Sequence, residues 1–349
     1  MDKSAGKSDN RMGLKDVARA AGVSLGTASN VWRRPEIVAL PTRERVLEAA
    51  RRLGFHGPDP GATLLKTGRA NCVGVVTDQP LDAFFTHRYT CRLMRGVAEG
   101  CAARGAGLSL VSGAIGTDGE RWSVDTALVD GFVLFCLHDG SELAERCARR
   151  GLPLVGIDQP PTPTMTTIRI DERAAAATIA RAALAAGHRR FGIVSLHTGL
   201  APGTKLGRDT VAAVRHATTR WRLEGYLETL EATPAIAPPV LREAPPDADP
   251  ATRDALWNAM GGELGGLDAV MAMSDDLARE LVGRLPARVR VFGFDGLDEN
   301  GDFATLVQPI ARKGRLAVEA IYSPTTLLDQ VLPVRFAGAA EAGGRSAGS

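Results

Sequence analysis

Hydrophobic positions organise the chain from Leu14 onward. Leu14, Val17, Ala18 and Ala21 recur at i, i+3, i+4 and i+7, the stripe of an amphipathic helix, and Gly22 ends it. Ser24 can accept a free backbone N–H, so a second helix begins there, with Ala28 and Val31 on one side. Two short helices joined by a tight glycine turn predict a helix-turn-helix, which places its second helix in the DNA major groove. Its exposed face is Leu25, Gly26, Thr27, Ser29, Asn30 and Arg33, with Ser24 at the cap. A pair of helices in a larger helical core has the same spacing. Pro41, Thr42 and Arg43, however, open a third helix whose Val46, Ala49, Ala50 and Leu53 can close a three-helix core, with Arg43, Arg45, Arg51 and Arg52 outward.

The segment 57–68 reads Gly-Pro-Asp-Pro-Gly-Ala-Thr-Leu-Leu-Lys-Thr-Gly. Asp59 before Pro60 starts a helix and Gly68 stops it. Two turns are unstable alone in water, so this helix should form only when packed on something. From Cys72 the texture changes. Strands over 72–77, 108–112, 131–137 and 154–158 alternate with helices over 89–104 and 141–150. A second series has a strand over 167–170, a helix over 174–186, and strands over 191–196, 269–273 and 289–294. Repeating βα units with short apolar strands predict buried parallel sheets, and the proline-rich break at 159–163 divides two lobes.

Leu14-Lys-Asp-Val-Ala-Arg-Ala-Ala-Gly-Val-Ser, Thr27-Ala-Ser-Asn-Val, Thr42-Arg-Glu-Arg-Val and Leu53-Gly-Phe together resemble the LacI family of bacterial transcription regulators in order and spacing. The resemblance implies an α/β chain: a small all-α helix-turn-helix DNA-binding domain, then a two-lobe effector domain with parallel sheets like the periplasmic binding proteins. The expected division is a disordered tail at 1–12, the DNA-binding domain at 13–56, a hinge at 57–70 and an effector-binding and dimerisation domain at 71–335. Lobe 1 takes 71–162 and 297–335, lobe 2 takes 163–296, and a disordered tail follows at 336–349. The fold implies three crossings between lobes, with 304–309 and a helix from Gly314 fitting the return to lobe 1.

By the same resemblance 57–70 is a hinge helix, two copies of which meet across a dimer and wedge Leu64 into the minor groove. Gly57-Pro58 and Gly61-Ala62 depart from the family pattern, and the arginine missing from the helix removes a phosphate contact. The effector residues it implies are Asp158, Arg222, Ser274 and Asp295, with Thr218 beside Arg222 and an aromatic at Phe84 or Phe85. Asp158 and Asp295 follow strands, where ligands of open α/β sheets bind. Arg222 lies in Arg-Leu-Glu-Gly-Tyr, and its planar fork of donors suits a carboxylate, a phosphate or vicinal hydroxyls. The plain structural alternatives are a turn cap for Asp295, a salt bridge for Arg222, core packing for one of the phenylalanines and linker packing for Leu64.

Charge supports this division. Residues 1–70 carry 13 Lys+Arg against 7 Asp+Glu, while the remainder carries 29 against 33. Five cysteines at 72, 91, 101, 136 and 147 show neither a CxxC pair nor disulfide or zinc spacing, so core thiols and no metal are expected. No apolar run approaches the ~18 residues of a membrane helix, and residues 1–11 lack the apolar segment of a signal peptide, which predicts a cytoplasmic protein. G-x-S-x-G, H-E-x-x-H and G-x-x-x-x-G-K-[ST] are absent, so no enzyme and no cofactor are expected. The expected partners are a double-stranded, pseudo-palindromic operator, a second copy of the chain and a small-molecule effector. A sugar comes first, then a nucleobase or nucleoside, then a degenerate site. Repression is expected over activation, and a solute-binding protein without a DNA role is the contrasting class.

Overall fold

The structure, a computed structural model, describes residues 12–113, 123–200, 206–245, 250–299, 301–323 and 329–338. The tail expected at 1–12 lies outside them up to residue 11, as does the tail expected at 336–349 from residue 339. The chain divides into two units, Met1–Ala70 and Asn71–Ser349.

The first unit holds α1 (Leu14–Ala21), α2 (Leu25–Arg33), α3 (Leu40–Arg52) and α4 (Pro60–Thr67). Val17, Ala18, Ala21, Ala28, Val31, Val46, Ala49 and Ala50 form its buried core, the stripes set out by the spacing. Trp32 and Phe55 close one end edge to face, with centroids 5.5 Å apart. Gly22 stops α1 in the left-handed conformation, φ 65°, a backbone shape that costs glycine little. Arg45, expected only to face outward, also donates from Nε to the Ala21 carbonyl at 3.1 Å and so ties α3 to the end of α1.

The second unit begins with β1 (Cys72–Thr77), α5 (Ala83–Thr86), α6 (Arg88–Ala102), β2 (Gly107–Ser112), β3 (Gly131–Phe135), α7 (Glu142–Arg149), β4 (Leu154–Ile157) and β5 (Thr166–Arg169). It continues with α8 (Glu172–Ala185), β6 (Phe191–Ser195), α9 (Ala217–Glu231), β7 (Val240–Glu243), α10 (Pro250–Leu264), β8 (Ala269–Ala272), α11 (Asp275–Arg284) and β9 (Arg290–Phe292). The last elements are β10 (Thr305–Val307), α12 (Ile310–Tyr322), β11 (Asp329–Val331) and β12 (Arg335–Ala337). One sheet has the order β11-β5-β4-β3-β1-β2 and another β7-β6-β8-β9, and every pairing within them is parallel. Near-continuous burial along β1, β3, β4, β6 and β8 follows from helices covering both faces.

The hydrogen-bond ladders correct the lobe boundaries. β5 pairs with β4, so lobe 1 runs through 169 rather than ending at 162, and lobe 2 starts at α8. The return expected at 297 comes later, because Gly293 and Asp295 donate to Ala304 and Leu306, which carries β10 along lobe 2. α12 then begins the return, four residues before Gly314. β12 pairs antiparallel with β10, so Phe336 and Ala337 belong to a strand and not to the expected tail. Three crossings remain, at about 170, 308 and 333.

Helices α6 and α12 approach so closely that a Cβ on Gly96 would lie 2.0 Å from the Ala311 carbonyl oxygen, and one on Gly314 2.5 Å from that of Leu93. Gly96→Ala is therefore expected to force the helices apart, costing about 1–3 kcal/mol by overpacking. Urea unfolding reads this directly, and a parent-like midpoint would show that the contact is not tight.

Candidate functional site

In the first unit, Ser24 caps α2 by accepting from the Thr27 backbone N–H at 3.0 Å, and its hydroxyl meets that of Thr27 at 2.8 Å. The cap thus engages both hydroxyls. Leu25, Gly26 and Arg33 are exposed, and Thr27, Ser29 and Asn30 are half-buried. The side chains of Ser29, Asn30 and Arg33 make no hydrogen bond within the described residues, leaving one amide, one hydroxyl and one guanidinium on this face. Helix α4 is capped by Asp59, which accepts from the Ala62 N–H at 2.8 Å, and ends at Gly68 with φ 66°. Leu64 is half-buried and its neighbour Leu65 is 89% exposed.

In the second unit the two lobes are closed on each other. Arg88 of α6 pairs with Asp276 at 3.2 Å and Asp298 at 2.9 Å across the gap, and Arg92 donates to the Gly296 carbonyl. At the other side the Asp139 N–H donates to the Arg215 carbonyl at 2.7 Å, and Arg220 pairs with Asp139 at 2.6 Å.

The floor between the lobes is a chain of buried polar groups. The Lys313 ammonium, fully buried, meets both Asp158 oxygens at 2.8 and 2.7 Å and the Gln308 Oε1 at 2.7 Å. Gln308 Nε2 then donates to Asp295 at 2.7 Å, and the Tyr89 hydroxyl donates to Asp158 at 2.7 Å. Arg222, 3% exposed, donates from Nε to Glu172 at 2.6 Å and from Nη1 to the Met273 carbonyl at 2.5 Å. Its guanidinium carbon sits 3.7 Å from the centre of the Phe294 ring.

Burial raises the Asp295 carboxyl well above the ordinary range against the pull of Arg222, so this group is held toward its neutral form. Burial likewise raises Glu172, opposed by Arg222. Burial works against the charge of Arg222, but Glu172 outweighs it and the guanidinium titrates above its usual value. Asp158 and Asp295 both adopt positive φ, 52° and 126°, as does Cys136 after β3 at 54°, so backbone strain recurs at these strand ends.

Each effector residue implied by the sequence therefore has a defined place. Asp158, Arg222 and Asp295 come together on the floor with partners inside the chain. Thr218 donates to the Asp158 carbonyl at 3.3 Å, and Ser274 caps α11 by accepting from the Leu277 N–H. Phe84 is 2% exposed in the core, whereas Phe85 is 71% exposed. Sequence reasoning missed Glu172, Lys313, Gln308 and Tyr89. Of the thiols read as core, Cys91 is exposed and Cys72 and Cys136 are half-buried.

Open space lies above the floor, at the cleft mouth. One cavity of about 380 Å³ is lined by Asp78, His138, His197, Arg215 and His216 among others. A second, of about 410 Å³, shares Asp78, His138 and Arg215 and adds Ser112, Ser123, Ser141 and Glu142. The His216 ring lies 6.4 Å from that of His138 and 5.9 Å from that of His197, and burial, then those two imidazoles, lower its pKa. Among the described residues no group of three His, Cys, Asp or Glu is placed to hold a metal, and no helix is long and apolar enough to cross a membrane.

The family described as "Bacterial regulatory proteins, lacI family" matches residues 13–58. The HTH-type transcriptional regulator Rv3575c of Mycobacterium tuberculosis is 32% identical over 341 residues, covering 90% of this chain and 91% of that protein. The chain belongs to the LacI family. Two solved LacI-family folds extend the likeness over the second unit. A complex of the regulator CelR with cellobiose superposes with TM-score 0.61 at 24% identity, covering 93% of this chain and 98% of that one. The lac repressor dimer bound to operator superposes with TM-score 0.66 at 20% identity, covering 94% and 98%. This LacI-family protein is thus a DNA-binding transcription regulator and not an enzyme, and the family match at residues 13–58 falls within its first unit.

Proposed function

We propose that this LacI-family regulator is a homodimeric repressor that reads a pseudo-palindromic operator and is controlled by a sugar bound between its lobes. The observation that carries the reading is α2, whose cap is satisfied internally while Ser29, Asn30 and Arg33 keep unpartnered side chains. A helix prepared in this way offers its free amide and guanidinium to base edges and phosphates, and a two-fold dimer presents two such helices to adjacent half-sites. The lac repressor neighbour, a dimer on its operator, supports the same arrangement, and the cellobiose held by CelR supports a sugar. So does the second cavity, where the Glu142 carboxylate can accept from the hydroxyls of a polyhydroxylated ligand beside Ser112, Ser123 and Ser141, whose own hydroxyls bond within the chain. Ser24, Leu25, Gly26 and Thr27 would contact the groove through shape and apolar surface, and Leu64 would wedge the minor groove.

The test is selection of binding sites from random duplexes by the parent and by Asn30→Ala. Asn30 pairing with an adenine would contribute about 1–3 kcal/mol of discrimination. The variant should lose its preference at one symmetric pair of base positions and keep it elsewhere. Unchanged preference at every position removes Asn30 from the readout, and a non-symmetric site removes the dimer.

A further inference from the structure

We infer that Trp32 sets the half-site spacing of the operator, by locking at Gly57 the joint between α2 and α4. This rests on the dimeric, operator-reading function proposed above, and adds a positioning residue that governs specificity without touching a base.

The joint is the segment 53–59, between the end of α3 and the start of α4. Both of its ends are fixed by the chain itself. At the first, Gly54 takes φ 65° and the Phe55 N–H donates back to the Ala50 carbonyl at 2.9 Å, which turns the chain as it leaves α3. At the second, the ring of Pro58 fixes its own φ, and Asp59 caps α4 by accepting from the Ala62 N–H at 2.8 Å. Between these ends stand His56 and Gly57. Gly57 takes φ 128°, a conformation that side chains rarely adopt, and by its own freedom it is the loosest link of the segment.

The Trp32 indole stands against that link. A Cβ on Gly57 would lie 3.4 Å from Trp32 Nε1 and 3.6 Å from Cδ1, and the same indole meets the Phe55 ring edge to face with centroids 5.5 Å apart. One side chain therefore braces the joint at two of its residues. Trp32 is not part of the buried core, which valines and alanines of α1, α2 and α3 complete; it is half-buried and packs on that core from outside. It also shares the last turn of α2 with Asn30 and Arg33, whose side chains are free to meet DNA. The exit of the chain is thus tied to the turn that reads the groove. In a two-fold dimer whose paired hinges lie at the operator centre, the offset from α4 to α2 in each head decides how far apart the two α2 helices stand. One base pair added at the centre moves a half-site by about 3.4 Å and turns it by about 34°. A loose joint absorbs that displacement and a braced one resists it.

The test uses the full chain and three duplexes built on the operator selected by the parent: one with its own centre, one with a base pair added there and one with a base pair removed. Affinities are measured for the parent, Trp32→Leu and Gly57→Ala. The parent should bind its own spacing about tenfold or more tightly than either neighbour, a loss like that of a mismatched base pair. Trp32→Leu should bring the three spacings within about threefold of one another, while the base preference inside each half-site stays as in the parent. Gly57→Ala leaves the core untouched but is strained at φ 128°, and should no longer favour the parental spacing. Equal binding of all three duplexes by the parent would show a yielding joint and overturn the inference. A parental spacing preference in either variant, with affinity falling equally on all three duplexes, is the result of a purely packing role and overturns it too. If Trp32→Leu loses the half-site preference altogether, its head has not folded and Gly57→Ala decides. Full affinity for a single half-site would instead defeat the dimeric reading beneath.

Discussion

Arg222→Ala is expected to lower the melting temperature of the effector unit by on the order of 10 °C, and not merely to silence the response to ligand. The guanidinium is buried on the floor of the cleft, and its Nε and Nη2 donate to the two oxygens of a Glu172 carboxylate that is itself buried. Truncating the arginine leaves Glu172 desolvated with its cationic partner gone, which typically costs about 3–5 kcal/mol. At roughly 2–4 °C per kcal/mol for a domain of this size, the expected fall follows. The Met273 carbonyl also loses its donor, and Phe294 loses the cation stacked on it. Adding Glu172→Gln to Arg222→Ala should recover much of the loss, because a neutral amide is far cheaper to bury. If Arg222→Ala instead melts with the parent and fails only to respond to effector, the arginine serves the ligand and the pair with Glu172 contributes little.

The two halves of that pair show what the sequence discloses and what it conceals. The stripe of Leu14, Val17, Ala18 and Ala21, the Ser24 cap and the glycine stop are local features, fixed within a turn or two, and the first unit folds as they indicate. Most of the parallel strands were legible for the same reason, as short apolar runs, whereas the short, more polar edge strands β7 and β11 were not. The partner of Arg222 lies 50 residues away, and that of Lys313 lies 155 away, so no local pattern names either. A signal was nonetheless present. Glu172 shares a buried stripe with Ala175, Ala176, Ile179, Ala180 and Ala183, and Lys313 shares one with Ile310, Gly314, Ala317, Val318 and Ile321. A charge at a core position of an amphipathic helix requires a buried counter-charge. That rule marks both residues as members of the site without saying whom they meet. The lobe boundaries failed for a related reason. β5 and β10 are four and three residues long, and the apolar pattern of so short a run does not say which sheet its ladder joins.

Lys313→Met is expected to loosen the joint between the lobes as well as to cost stability. The ammonium is enclosed completely and joins Asp158, at the end of β4 in lobe 1, to Gln308, which passes the connection to Asp295 beyond β9 in lobe 2. Methionine fills similar volume but supplies no donor. Asp158 keeps only the Tyr89 hydroxyl and loses its cation, and the Gln308 oxygen loses its donor. A buried carboxylate stripped of its partner again implies a loss of about 3–5 kcal/mol. Because Gln308 lies where the chain returns from β10 to α12, the loss falls on a crossing, and the lobes are freed to open there. Hydrogen exchange should therefore accelerate at residues 306–310 and around Asp158 more than in β1 or β6, whose ladders the substitution does not touch. The companion variant Asp158→Asn/Lys313→Met removes both charges and should return toward the stability of the parent. Its joint should stay loose, since no ion spans the floor. Uniform acceleration of exchange throughout the second unit would reduce Lys313 to a general stabiliser, and parent-like exchange at residues 306–310 would show that the lobes are held by Arg88 and Arg220 at the rim instead.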